Sequence, residues 1–155
     1  MTIEEQVVQK LKDKNYRIAF AESCTGGLCC AKLVSVASAS SVLDMSFVTY
    51  ANEAKTELLG VSAATIEKYG VVSEEVAREM AKGVADKAGC EVGVGVTGIA
   101  GPTGATAGKP VGMVCFGFSL NGDVKTFTQY FGEIGRNAVR EASVNFVYNK
   151  LLEFI

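Results

Sequence analysis

Apolar and polar positions change period along the chain, and each change marks an element. Over residues 2–14, Ile3, Val7, Val8 and Leu11 recur at helical spacing behind Thr2, which predicts a capped amphipathic helix. Residues 17–21 form a short apolar run that reads as a buried strand, and a helical stretch follows over about residues 27–37. Small residues at 38–41 read as a loop, and the β-branched and aromatic run 45–50 as a second strand. Asn52 is placed to cap a short helix that Gly60 stops; Ser62 opens another that ends at Gly70. Ser73, with Glu74 and Glu75 behind it, opens a longer helix to about residue 88, and the two acids suit the positive end of its dipole. A Val/Gly strand over 91–97, a Gly-rich loop over 98–110 and a strand over 111–119 come next. Asn121-Gly122 signals a two-residue hairpin into a strand over 124–130, and a final helix covers about 136–153. Strands interleaved with helices predict a sheet covered on both faces, and the hairpin makes that sheet mixed.

Composition narrows the chemistry more than the fold. The 155 residues fit one domain, residues 1–155, with enough apolar content for a core. Fifteen Lys+Arg against seventeen Asp+Glu, with no basic tract, argue against nucleic acid as a partner. There is no histidine, which removes Ser-His-Asp and Cys-His catalysis and His-ligated metals; acid–base work falls to Lys, Tyr, Asp, Glu or Cys. Five cysteines without a CxxC pair read as free thiols rather than a disulfide framework. The acidic N-terminus lacks the apolar core of a secretory signal, and no apolar run reaches the length of a membrane span. The expectation is a reduced, cytoplasmic protein with no membrane partner.

Four places can carry chemistry. Glu22-Ser23-Cys24-Thr25-Gly26-Gly27 lies between a predicted strand and a predicted helix, where glycines admit a ligand and N–H groups point outward. It can hold an anion or an oxyanion, with Ser23 and Thr25 adding hydroxyls, or it can be a tight connection in which Ser or Thr caps the helix. Thr97 to Gly104 also follows a strand and belongs to a loop longer than most connections; it either serves a site or runs over the surface. Lys55 stands in the first turn of a helix: partly buried it would have a lowered pKa and act as a base, and on the surface it would be a solvated charge. Arg136 and Arg140, one turn apart, can clamp a phosphate or carboxylate, or pair with Glu133 and Glu141. Cys24 is a rival nucleophile to Ser23.

Read together, several of these stretches resemble the CinA C-terminal domain family, the nicotinamide-nucleotide amidohydrolases. The matching segments are Ala21-Glu22-Ser23-Cys24-Thr25-Gly26-Gly27-Leu28, Phe47-Val48-Thr49-Tyr50-Ala51-Asn52-Glu53-Ala54-Lys55, Gly70-Val71-Val72-Ser73-Glu74-Glu75, Val96-Thr97-Gly98-Ile99-Ala100-Gly101-Pro102 and Lys109-Pro110-Val111-Gly112. The resemblance implies a three-layer α/β/α fold with a mixed, mostly parallel sheet. It implies hydrolysis of the carboxamide of nicotinamide mononucleotide to nicotinate mononucleotide and ammonia, in NAD salvage, by a homodimer without metal or other cofactor. By motif, Ser23 is the nucleophile, Lys55 its base, and Tyr50 a positioning or proton-relaying group. Substrate contacts fall to Cys24, Thr25, Gly26, Gly27, Thr97, Gly98, Ala100, Gly101 and Arg136. The family carries an acid where this chain has Gly135, and an acid after the proline where Gly101 to Lys109 has none. The alternative is a nucleotide-binding or regulatory module that keeps the pocket without chemistry.

Overall fold

Thr2 closes the first helix as its sequence predicts. In the computed structural model, which describes residues 1–155, its Oγ1 accepts the Glu5 N–H at 3.2 Å, while Glu5 takes the Thr2 N–H at 2.7 Å. Helix α1 (Ile3–Lys14) ends at Asn15 in the left-handed region and buries Val7, Val8 and Leu11. Strand β1 (Ile18–Glu22), helix α2 (Leu28–Val34) and strand β2 (Phe47–Val48) follow. Then come α3 (Asn52–Leu59), α4 (Ala63–Tyr69), α5 (Glu74–Ala88), β3 (Val92–Gly98), β4 (Met113–Leu120), β5 (Asp123–Tyr130) and α6 (Arg136–Phe154). Asn121 and Gly122 both take positive φ in the β4–β5 turn, the backbone that a two-residue hairpin of this kind requires.

The boundaries that moved have local reasons. Residues 38–41 are not a plain loop, because Ala39–Ser41 close a 3₁₀ turn. Asn52 begins α3 rather than capping it, and the capping position is Ala51. The strand expected over 45–50 shrinks to two residues: beyond Val48, one further bond, Thr49 N–H to Glu22 O at 2.8 Å, is the last to β1. The carbonyls of Thr49 and Tyr50 then turn to a lysine instead of a neighbouring strand.

The sheet runs β2-β1-β3-β4-β5. β1 is parallel to β2 and β3, while β3–β4 and β4–β5 are antiparallel, so β4 alone runs against the other strands. Helices α1, α2 and α6 pack on one face, where Phe20, Val94, Phe116, Val147, Tyr148 and Leu151 form the larger core. Helices α3, α4 and α5 cover the other, with Ala19, Ala21, Leu59, Val76 and Met80 inside. The expected three-layer α/β/α arrangement is therefore the observed one. No helix is long and apolar enough to cross a membrane.

Glycines on the α5 face let helix and sheet approach. Gly95 is paired with Gly117, and a Cβ at Gly95 would stand 2.6 Å from Ala77 O and 2.8 Å from Ala81 N. Gly95→Ala should therefore cost about 1–3 kcal/mol by forcing α5 off the sheet, measured as a lower urea midpoint at unchanged slope.

Strand order also places the site. The chain leaves β1 toward β2 on one side and reaches parallel β3 on the other. The loops after the carboxyl ends of β1, β2 and β3 meet at this switch point, where open α/β sheets form ligand crevices.

Candidate active site

A cleft of about 290 Å³ opens at that edge, lined by residues from all three loops and from the start of α6. Ser23 follows β1 directly, its N–H held by Val96 O of β3 at 3.1 Å. Lys55, in the first turn of α3, is 1% exposed, which disposes of the solvated surface charge. Its Nζ lies 3.1 Å from Ser23 Oγ, 2.7 Å from Thr49 O and 3.3 Å from Tyr50 O. Two carbonyls and one hydroxyl suit both protonation states. As an ammonium, Nζ donates to all three; as an amine it donates two N–H bonds to the carbonyls and turns its lone pair to the serine O–H. Burial disfavours the ammonium and lowers the lysine pKa from its ordinary 10.5. The group can therefore take and return a proton at Ser23 Oγ.

The turn after Ser23 is set by its backbone. Gly26 and Gly27 take φ of 60° and 103°, a region that suits glycine. Gly26 N–H donates to Ser23 O at 3.0 Å, whereas the N–H groups of Cys24, Thr25 and Gly27 take no acceptor within the chain. Neither Ser nor Thr caps α2. The buried Glu22 carboxylate does so from the end of β1, accepting Cys29 N–H at 2.8 Å and Cys30 N–H at 3.0 Å. The start of α2 is thus occupied, and anion binding in this loop falls to the turn. Cys24 lines the cleft, but burial pushes its thiol up to about 12, which leaves it a poor rival to Ser23. Thr25 is fully buried and its Oγ1 bonds nothing, so it offers the cleft no hydroxyl. Thr25, Gly26 and Gly27 do not line the cleft.

At the mouth, Arg136 donates to Gly101 O at 2.8 Å and to the Tyr50 hydroxyl at 2.9 Å. Neither Arg136 nor Arg140 pairs with Glu133 or Glu141; Arg140 bonds Cys24 O and Thr25 O. Tyr50 is 61% exposed and reaches Arg136 with its hydroxyl; it meets Lys55 through its main-chain carbonyl. Gly135 takes φ of 104°, a backbone that suits glycine. Thr97, Gly98 and Ala100 line the cleft, with the Thr97 hydroxyl donating to Val71 O at 2.9 Å. Gly101 stands behind it, as the acceptor of Arg136. Lys109 draws the long loop in by donating to Tyr69 O and Val72 O. Asn52, Val71, Val72, Thr103 and Gly104 also face the cleft. All five stood within stretches already singled out, Val71 and Val72 only by the family resemblance, since as valines they carry no chemical signal of their own. All five cysteines are free, with Cys24, Cys29 and Cys115 buried.

Comparison with known proteins gives a consistent picture. The model of the CinA C-terminal domain matches residues 1–155. The nicotinamide-nucleotide amidohydrolase PncC of Enterobacter agglomerans is 51% identical over 147 residues, 94% of this chain and 89% of that protein. A CinA-like protein of Kosmotoga olearia is 46% identical over 94% of this chain, but the chain spans only 35% of its length. Several other curated relatives are likewise about three times as long as the segment they share with this chain. The crystal structure of the competence/damage inducible protein CihA from Agrobacterium tumefaciens superposes with a TM-score of 0.94 at 38% identity, covering 97% of this chain and 92% of that one.

Proposed function

The chain belongs to the CinA C-terminal domain family, and from that premise we propose that it hydrolyses the carboxamide of nicotinamide mononucleotide. The products are nicotinate mononucleotide and ammonia, and residues 1–155 act as one amidohydrolase domain. The observation that carries the reading is the buried Lys55 Nζ at 3.1 Å from Ser23 Oγ, on the wall of a cleft. A buried amine beside a serine is a base for that serine, and the chain has no histidine to do the work.

Neutral Lys55 takes the Ser23 proton as Oγ bonds to the carboxamide carbon. The C=O electrons move onto oxygen, where the free amide of Cys24, which lines the cleft, is the available donor. The carbonyl re-forms as the C–N bond breaks, and ammonia leaves with the proton from Lys55. Water, deprotonated by the same amine, attacks the acyl ester; the bond from the acyl carbon to Oγ breaks as Lys55 passes that proton to Ser23 Oγ. The nucleotide phosphate is assigned to Arg136. That residue stands in the first turn of α6, where no acid competes and the helix dipole favours an anion. The family resemblance extends the proposal to a homodimer acting in cytoplasmic NAD salvage without metal or cofactor.

The test is ammonia release by the purified protein, with the product identified by mass. Nicotinamide mononucleotide should be turned over, and nicotinamide riboside, which lacks the phosphate, should be a poor substrate. Ligand binding without ammonia release would reduce the protein to a nucleotide-binding module.

A further inference from the structure

The last helix does more at the cleft than carry Arg136. One turn further along α6, Arg140 lies half-buried against the Ser23–Gly26 turn. Its Nε–H donates to Cys24 O at 3.0 Å, and one terminal nitrogen donates to Thr25 O at 3.1 Å. The other terminal nitrogen donates to Asn137 Oδ1 at 3.0 Å. No carboxylate is within ion-pair distance of Arg140. Each of its three nitrogens therefore bonds a neutral acceptor, two of these being the carbonyls of consecutive peptide units. Packing agrees: a Cβ at Gly26 would stand 3.2 Å from the same terminal nitrogen, so the turn lies directly on the guanidinium plane's edge.

The choice of carbonyls matters. Gly26 N–H to Ser23 O closes a four-residue turn whose central peptide joins Cys24 to Thr25. That central peptide is the unit whose inversion distinguishes the common turn types. In a planar trans peptide, C=O and N–H point in opposite directions. Holding Cys24 O toward α6 aims the Thr25 N–H away from α6, and drawing Ser23 O into the turn aims the Cys24 N–H out of it. Neither amide takes an acceptor within the chain, and that of Cys24 lies at the cleft, next to the serine that meets Lys55.

We propose that Arg140 is a positioning residue: its guanidinium locks the Ser23–Gly26 turn and so presents the Cys24 amide, the one of that turn that lies at the cleft, to the oxyanion formed at Ser23. The proposal deepens the amidohydrolase reading and rests on it. Arg140 touches no reacting atom, and its action is on the geometry of the donor. Lysine is no substitute, since an ammonium lacks the planar fork that spans two carbonyls.

The experiment compares Arg140→Ala and Arg140→Lys with the unaltered protein by two readouts. One is steady-state ammonia release from nicotinamide mononucleotide. The other is the rate at which an alkyl fluorophosphonate labels Ser23, followed by intact mass, which depends on the serine and its oxyanion donor but not on the nucleotide. Arg140→Ala is expected to lower kcat roughly 100-fold with little change in KM, and to slow labelling to a similar extent. Arg140→Lys should recover little of either rate. Millimolar guanidinium, far below denaturing levels, should restore both to Arg140→Ala. A helix that had merely loosened would lower the melting temperature without responding to guanidinium. A raised KM at unchanged kcat would make Arg140 a substrate ligand and overturn the proposal, as would unaltered kcat and labelling. If the unaltered protein is labelled at Ser23 but releases no ammonia, the substrate reading fails and the labelling rates still decide Arg140. Neither labelling nor release overturns both.

Discussion

Ser23→Ala is expected to lower ammonia release from nicotinamide mononucleotide by at least about 10³-fold, with the melting temperature nearly unchanged. The substitution removes one oxygen from a buried side chain and leaves Lys55 its two carbonyl acceptors, so the fold loses one hydrogen bond. The rate loses its nucleophile. Cys24 cannot replace it: the thiol is 6% exposed and, with its pKa pushed up to about 12, carries almost no thiolate near neutrality. The residual rate should be that of the remaining oxyanion donor and Lys55 acting on attack by water. The check is kcat for both proteins with nicotinate mononucleotide measured directly. Turnover by Ser23→Ala within a few-fold of the unaltered protein would remove the acyl-enzyme and leave lysine-assisted water as the mechanism.

Much of this architecture is legible in one dimension because it rests on local backbone demands. Asn121-Gly122 needs two positive φ values, Ser73 supplies a cap, and the apolar periods separate helix from strand. The site's side chains are legible for the same reason, since Ser23 and Lys55 stand at element ends. What the pattern does not carry is the identity of main-chain partners. Nothing in the run 45–50 says that the Thr49 and Tyr50 carbonyls will leave the sheet for Lys55. Glu22 reads as part of the connection between strand and helix, yet it ends β1 and its carboxylate takes over the cap expected of Ser or Thr. Arg140 reads as half of an anion clamp or as a surface charge with acids nearby, and its two carbonyl acceptors lie 115 and 116 residues away along the chain. The glycines that admit α5 acquire their meaning only from the β3–β4 register that sets Gly95 beside Gly117. In each case a carbonyl, an amide or an absent Cβ is the partner, and side-chain patterning is blind to all three.

Lys55 binds chemistry and stability into one titration, which makes its pH dependence the sharpest quantitative expectation. Burial lowers its pKa from 10.5, and catalysis requires the amine form, so kcat/KM should rise with pH along an acid limb whose midpoint lies below that of an ordinary lysine. The stability term has a definite sign. Between the lowered folded pKa and the unfolded value of 10.5, the unfolded chain holds one more proton than the native one. Stability should therefore increase with pH through that window and stop increasing above it. Lys55→Met should abolish turnover, leave nucleotide binding measurable, and remove this increment from the pH dependence of unfolding. Other groups titrate in the same range, so the quantity to compare is the difference between the two proteins rather than either curve alone. Lys55→Arg provides the complementary case: the positive charge stays, but a guanidinium does not surrender its proton, and no pH should restore the rate. Should Lys55→Met keep the rate, or Lys55→Arg keep the acid limb, the base would have to be another group. The only proton acceptor the structure sets against Ser23 Oγ is this one, because the Tyr50 hydroxyl is held by Arg136 at the mouth of the cleft.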